Sequence, residues 1–146
     1  LKYFSIAIIL LSLIFVFGLE AMAQDFSAQG SASYWAGRLW IGASARAQLT
    51  DNITARASLG VAANRYIRVS FDGTYNFKIT DEFDPFLGAG ISYSTFAGPS
   101  LDLIGGFNVR VEGFRLNAEA TYSIFFGGID PRPRPLGLRV GMNFSI

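Results

Sequence analysis

A chain of 146 residues is one domain by length, and with 51% hydrophobic but only 16% charged residues it carries less charge than most soluble domains. The formal net charge of +1 gives no polyanion-binding signature, so no nucleic-acid partner is expected. The absence of cysteine and histidine removes disulfides, thiolate and imidazole metal ligands, a cysteine nucleophile and the usual general base.

The chain opens with a basic Lys2, an apolar run from Tyr3 to Leu19, and Ala21-Met22-Ala23. Small residues flanking one arbitrary residue match the secretory cleavage pattern. Residues 1–23 are therefore expected to be a cleavable signal peptide, and 24–146 the mature domain outside the cytoplasm. The alternative is a retained membrane helix, for which about 20 apolar residues are normally needed.

From Gln24 onward the pattern has period two, that of strands. In "YIRVSFDGTYNFKI", Ile67, Val69, Phe71, Tyr75, Phe77 and Ile79 share one face, while Arg68, Ser70, Asp72, Thr74, Asn76 and Lys78 share the other. Turn signals such as "LTDNI", "KITDEFDPF" and "RVEGF" alternate with "YWAGR", "AANRY", "STFAGPS" and "FFGGIDPRPRP". They predict eight strands: Phe26 to Tyr34, Arg38 to Leu49, Ile53 to Ala62, Tyr66 to Ile79, Phe86 to Ser94, Ser100 to Val111, Phe114 to Ile124 and Leu136 to Ile146. Most have close to the about 9–11 residues with which a tilted strand crosses a bilayer.

Period two alone does not say which face meets solvent. A soluble barrel buries the apolar parity, and a membrane barrel turns the same pattern inside out. The outward-apolar reading is preferred because the apolar parity carries essentially no charge, and because the polar parity is rich in small residues such as Ser31, Gly42, Gly90 and Gly141. Aromatics also gather near strand ends, as interfacial girdles do. The tryptophans of "YWAGRLW" are read in the same way, as anchors at a membrane edge, in preference to an adhesion tip. In hydrocarbon an unpaired strand edge finds no water, so the segment "LGLRVGMNFSI" is expected to pair with "FSAQGSASY" and close the sheet.

Two segments carry a family resemblance. "DPFLGAGISYS" resembles the proline, glycine and tyrosine pattern of the fifth strand in small outer-membrane β-barrel proteins, and "LGLRVGMNFSI" resembles their closing strand. The resemblance is to the eight-stranded group that includes the OmpX and OmpA transmembrane domains, and it spans nearly the whole mature chain. It implies an all-β fold, an eight-stranded antiparallel up-and-down transmembrane β-barrel, in the outer membrane of a Gram-negative-type bacterium. The implied partners are outer-membrane lipid, lipopolysaccharide and, during biogenesis, the barrel-assembly machinery; a monomer is expected. The resemblance places the assembly signal at Phe144 and Ile146. Here the chain departs from the family, whose signal usually ends in an aromatic residue.

The polar parity puts Arg46, Arg56, Arg68, Asp72, Asp102, Arg110, Arg115, Glu119 and Arg139 inside, with Arg38 and Lys78 on the same parity. If the connection after Ala62 is a simple hairpin, Arg56 and Asp72 come nearly opposite each other. Such a set could line a charged pore or a substrate site. The preferred reading is an ion-paired network that plugs a small barrel, because charges withdrawn from water need partners. Catalysis is not expected: small barrel enzymes rely on histidine with serine, and carboxylates among arginines are weak bases. No cofactor or metal site is expected. In "FFGGIDPRPRP", Arg132 and Arg134 could meet lipopolysaccharide phosphates or an acidic partner, although a solvated extracellular loop is the preferred reading. These observations together predict a structural or surface-interaction barrel with a polar-plugged lumen. A small passive pore is the alternative, and a secreted soluble barrel binding a hydrophobic ligand is the third reading.

Overall fold

Strict side-chain alternation builds eight strands: β1 (Asp25–Trp35), β2 (Arg38–Gln48), β3 (Ile53–Ala62), β4 (Ile67–Asn76), β5 (Phe83–Ser94), β6 (Gly98–Val111), β7 (Phe114–Phe125) and β8 (Leu136–Ser145). The structure, a computed structural model, describes residues 25–63, 65–127 and 133–145. The expected signal peptide, Arg132 and Ile146 lie outside the described residues.

Each strand pairs antiparallel with its neighbour in sequence, and β8 pairs with β1 to close the barrel. The closing register runs from Ser27 opposite Ser145 to Tyr34 opposite Leu138, so the expected pairing of the last and first strands is present. The two-residue turns Ala36-Gly37 and Glu112-Gly113 hold both residues at positive φ, the geometry that matches hairpin twist. Ala36-Gly37 lies at the same end as the long β7–β8 connection, called here the loop end. Glu112-Gly113 lies at the other, the short-turn end, with the β2–β3 and β4–β5 turns.

The strand boundaries differ most from the sequence expectation at the β4–β5 turn, while β6 starts two residues early, at Gly98, and other ends shift by at most one residue. β4 stops at Asn76, and β5 starts at Phe83, three residues earlier than predicted. Pro85 was expected in the turn and instead lies within the strand. Its carbonyl accepts a hydrogen bond from the Phe77 N–H at 2.7 Å, a role that needs no proline donor. Lys78 thereby leaves the ladder and joins the turn.

Every charged residue within a strand lies on the inward parity. The outward parity carries only apolar residues, glycine, proline and tyrosine. Ile41, Leu87, Ile91, Leu138 and Val140 are each more than 60% exposed on that face. Three outward alanines, Ala47, Ala55 and Ala57, are buried. Ala47 pairs with Ala55, and Ala45 with Ala57, so a low strip of small residues runs across the β2–β3 hairpin.

Candidate functional site inside the barrel

The interior is built in layers. Nearest the loop end lies an aromatic cap, with Trp35 and Trp40 only 1% and 2% exposed and their rings edge to face at 5.7 Å. Trp35 Nε1 donates to Ser123 Oγ at 2.8 Å, and Trp40 Nε1 donates to the Trp35 carbonyl at 3.0 Å. Buried indoles thus find the acceptors that they need. Gly137 makes the space: a Cβ there would lie 2.9 Å from Trp35 Cδ1. The tryptophans are therefore not edge anchors, as the sequence reading had them. Both occupy inward parity positions, and the tight Ala36-Gly37 turn folds both rings into the lumen. The Arg38 guanidinium stacks over Phe96 at 4.1 Å and Tyr66 at 4.8 Å, and the Arg68 guanidinium lies 3.9 Å from the Trp35 ring.

Below the cap, Asp102 accepts from Arg68 Nη2 at 2.9 Å, Ser123 Oγ at 2.6 Å and Ser100 Oγ at 3.1 Å. At mid-height Arg56 Nε donates to Asp72 Oδ2 at 3.1 Å, as the β3–β4 register opposing these residues requires. The Arg56 fork also reaches Glu119 through two bonds of 2.7 and 3.0 Å, and Arg139 Nη1 lies 3.4 Å from Glu119 Oε1. The carboxylates of both layers, and Arg56, are almost fully buried. Charges this far from water persist only when paired and hydrogen-bonded.

A layer of amides follows. Arg46 Nη1 donates to Asn108 Oδ1 at 3.4 Å, Asn117 Nδ2 donates to the same atom at 3.2 Å, and Gln29 Nε2 donates to Asn117 Oδ1 at 3.1 Å. Gly141 leaves the backbone bare where the Gln29 amide packs.

Beyond the amides a cavity of about 570 Å³ opens at the short-turn end, with Arg46, Arg110, Arg115 and Asn143 in its wall. The two cavities nearer the middle of the barrel measure about 10 Å³ each, room for about one water. Among the described residues no group of histidine, cysteine, aspartate and glutamate could hold a metal.

The nine interior residues singled out from the sequence all point inward, but they do not form one cluster. Arg56, Asp72, Glu119 and Arg139 meet at mid-height, and Arg68 meets Asp102 one layer away. Arg46, Arg110 and Arg115 line the short-turn cavity and make no ion pair with a described residue. Arg115 and Glu119, four residues apart on β7, make no ion pair either. Arg134 is exposed in the β7–β8 connection, and Phe144 is half-exposed on the outward face. Sequence reasoning missed Gln29, Asn108, Asn117, Asn143 and Asp84. Gln29, Asn108, Asn117 and Asn143 are uncharged polar residues on the inward parity, a signal present in the sequence, whereas Asp84 falls in the expected β4–β5 turn and joins the inward face because β5 starts at Phe83.

The fold is that of the outer-membrane type of eight-stranded antiparallel barrel. The N-terminal β-barrel domain of Pseudomonas aeruginosa OprF superposes with a TM-score of 0.65 at 17% identity, covering 84% of this chain and 98% of that one. The outer membrane enzyme PagL gives 0.55 at 15% identity, covering 84% and 99%. A de novo designed transmembrane β-barrel gives 0.69 at 12% identity, covering 85% and 97%. No protein-family model and no curated protein matches the sequence. At these identities the likeness is one of fold, and it extends to a barrel made by design as readily as to an enzyme.

Proposed function

We propose that this chain is an integral outer-membrane protein with a structural or surface-interaction role, whose lumen is closed to ions by its own side chains. The observation that carries the reading is the conjunction of a charge-free outward face with an interior crossed by ion pairs. A strand face without a single charge suits hydrocarbon, where an arginine at midplane costs about 2–4 kcal/mol. An interior in which Arg56 bridges to both Asp72 and Glu119 suits a packed plug, because each partner fills space and satisfies the others. The aromatic cap adds a second, apolar layer at the loop end.

In this reading the short turns face the periplasm and the β7–β8 connection faces outward, where Arg132 and Arg134 are available to lipopolysaccharide phosphates. Phe144 and Ile146 serve the barrel-assembly machinery, and the mature protein works as a monomer without a cofactor and without catalysis. Planar-bilayer recording tests the closed lumen: the purified, refolded chain should show no defined conductance steps. Reproducible single-channel steps would establish the pore reading instead.

A further inference from the structure

We infer that the short-turn mouth of the barrel binds a phosphate group, held between Arg46, Arg110 and Arg115 with the Asn143 side chain as a neutral donor. Four observations converge. The cavity, at about 570 Å³, has the size of a small-ligand site. Arg46 is 7% exposed and forms no ion pair among the described residues; its side-chain contact is the 3.4 Å bond to Asn108. A buried guanidinium without a carboxylate is costly, whereas Arg56, Arg68 and Arg139 deeper in the barrel each have one. Arg110 and Arg115 stand directly opposite each other across β6 and β7, a like-charge pairing that destabilises a sheet unless an anion lies between the two. Finally, Arg115 is itself opposite Asn143 on β8. Asn143 is 9% exposed and lines the cavity, and neither of its amide atoms has a hydrogen-bond partner within the described residues. Arg110, Arg115 and Asn143 therefore form one row of donors across three strands.

The charge balance selects the ligand. The wall carries four cations, Arg46, Lys78, Arg110 and Arg115, against two carboxylates, Asp25 and Asp84. The other carboxylates of the short turns, Asp51, Asp81, Glu82 and Glu112, are outside the cavity wall and form no ion pair with any of the four. The two uncompensated positive charges match a dianion, and guanidinium forks match tetrahedral oxygens in pairs. Hydrogen phosphate or a phosphomonoester meets both conditions, either as a free anion or as the headgroup of phosphatidic acid.

The test uses the refolded chain in a neutral detergent, with calorimetric titration of inorganic phosphate at constant ionic strength set by chloride. A parallel titration uses phosphatidic acid dissolved in the same micelles. Saturable phosphate binding that weakens about tenfold in both Arg110→Gln and Arg115→Gln supports the site with a free anion as ligand. Saturation by phosphatidic acid alone, with the same arginine dependence, supports it with a lipid headgroup as ligand. Asp84→Asn removes a repelling carboxylate from the wall and should tighten binding about threefold, which a merely damaged barrel would not do. Absence of saturation by either probe, or binding indifferent to the two arginine substitutions, overturns the inference. Bilayer conductance does not enter this readout, so the site and the closed lumen stand or fall separately.

Discussion

Arg56 on β3 grips Glu119 on β7 through two bonds of 2.7 and 3.0 Å. In a ring of eight strands, β3 and β7 lie four places apart, so this pair crosses the barrel along its diameter. A cross-brace of this kind joins the two halves of the sheet and occupies the axis that a pore would need.

Removing one end of the brace should be costly. Glu119→Gln leaves Arg56 with Asp72 as its one remaining carboxylate and leaves Arg139 without an ion pair. The expected loss is about 3–5 kcal/mol, the usual penalty for an uncompensated buried charge. Urea unfolding of the refolded protein in phospholipid vesicles measures it.

The outward face makes the opposite demand. Leu103 lies midway along β6, half-exposed on the outward parity. Leu103→Arg should destabilise the inserted barrel by about 2–4 kcal/mol and slow insertion into vesicles. Normal insertion would show that the faces have been inverted.

Trp35 and Tyr34 are neighbours in sequence and opposite in fate: Trp35 is 1% exposed inside the cap, and Tyr34 is 44% exposed outside. Trp35→Ala should cost about 3–5 kcal/mol as a large core truncation, several times the cost of Tyr34→Ala in the same unfolding experiment. Equal costs would favour an anchoring role for both.

Glu112 holds a φ of 43° in the turn between β6 and β7, a conformation that Asn and Gly adopt more readily than Glu. Glu112→Asn creates the Asn-Gly pair favoured in two-residue hairpins and should stabilise the barrel by roughly 1 kcal/mol. A raised urea midpoint with unchanged slope would register the gain.

The strand count, the two faces and the closure of β8 on β1 were legible in the sequence because a period of two, once free of charge on one parity, leaves little freedom of register. The Arg56–Asp72 pair was legible for the same reason, since one hairpin sets it. The Arg56–Glu119 brace was not: it depends on which strands face each other across a closed ring and on how far a guanidinium reaches. Trp35 and Trp40 were misplaced despite their parity, because tryptophan near a strand end is so common at membrane interfaces that composition outweighed position. β5 begins earlier than expected because Pro85, a turn residue by composition, fits the start of the strand, where its carbonyl accepts from the Phe77 N–H.

The central claim is that this barrel shows its apolar face to lipid, and cell fractionation with an unheated gel addresses it most directly. The protein should sediment with the outer membrane, leave it only with detergent, and migrate differently before and after boiling. Recovery from the periplasm without detergent, with a single mobility at both temperatures, would contradict the account.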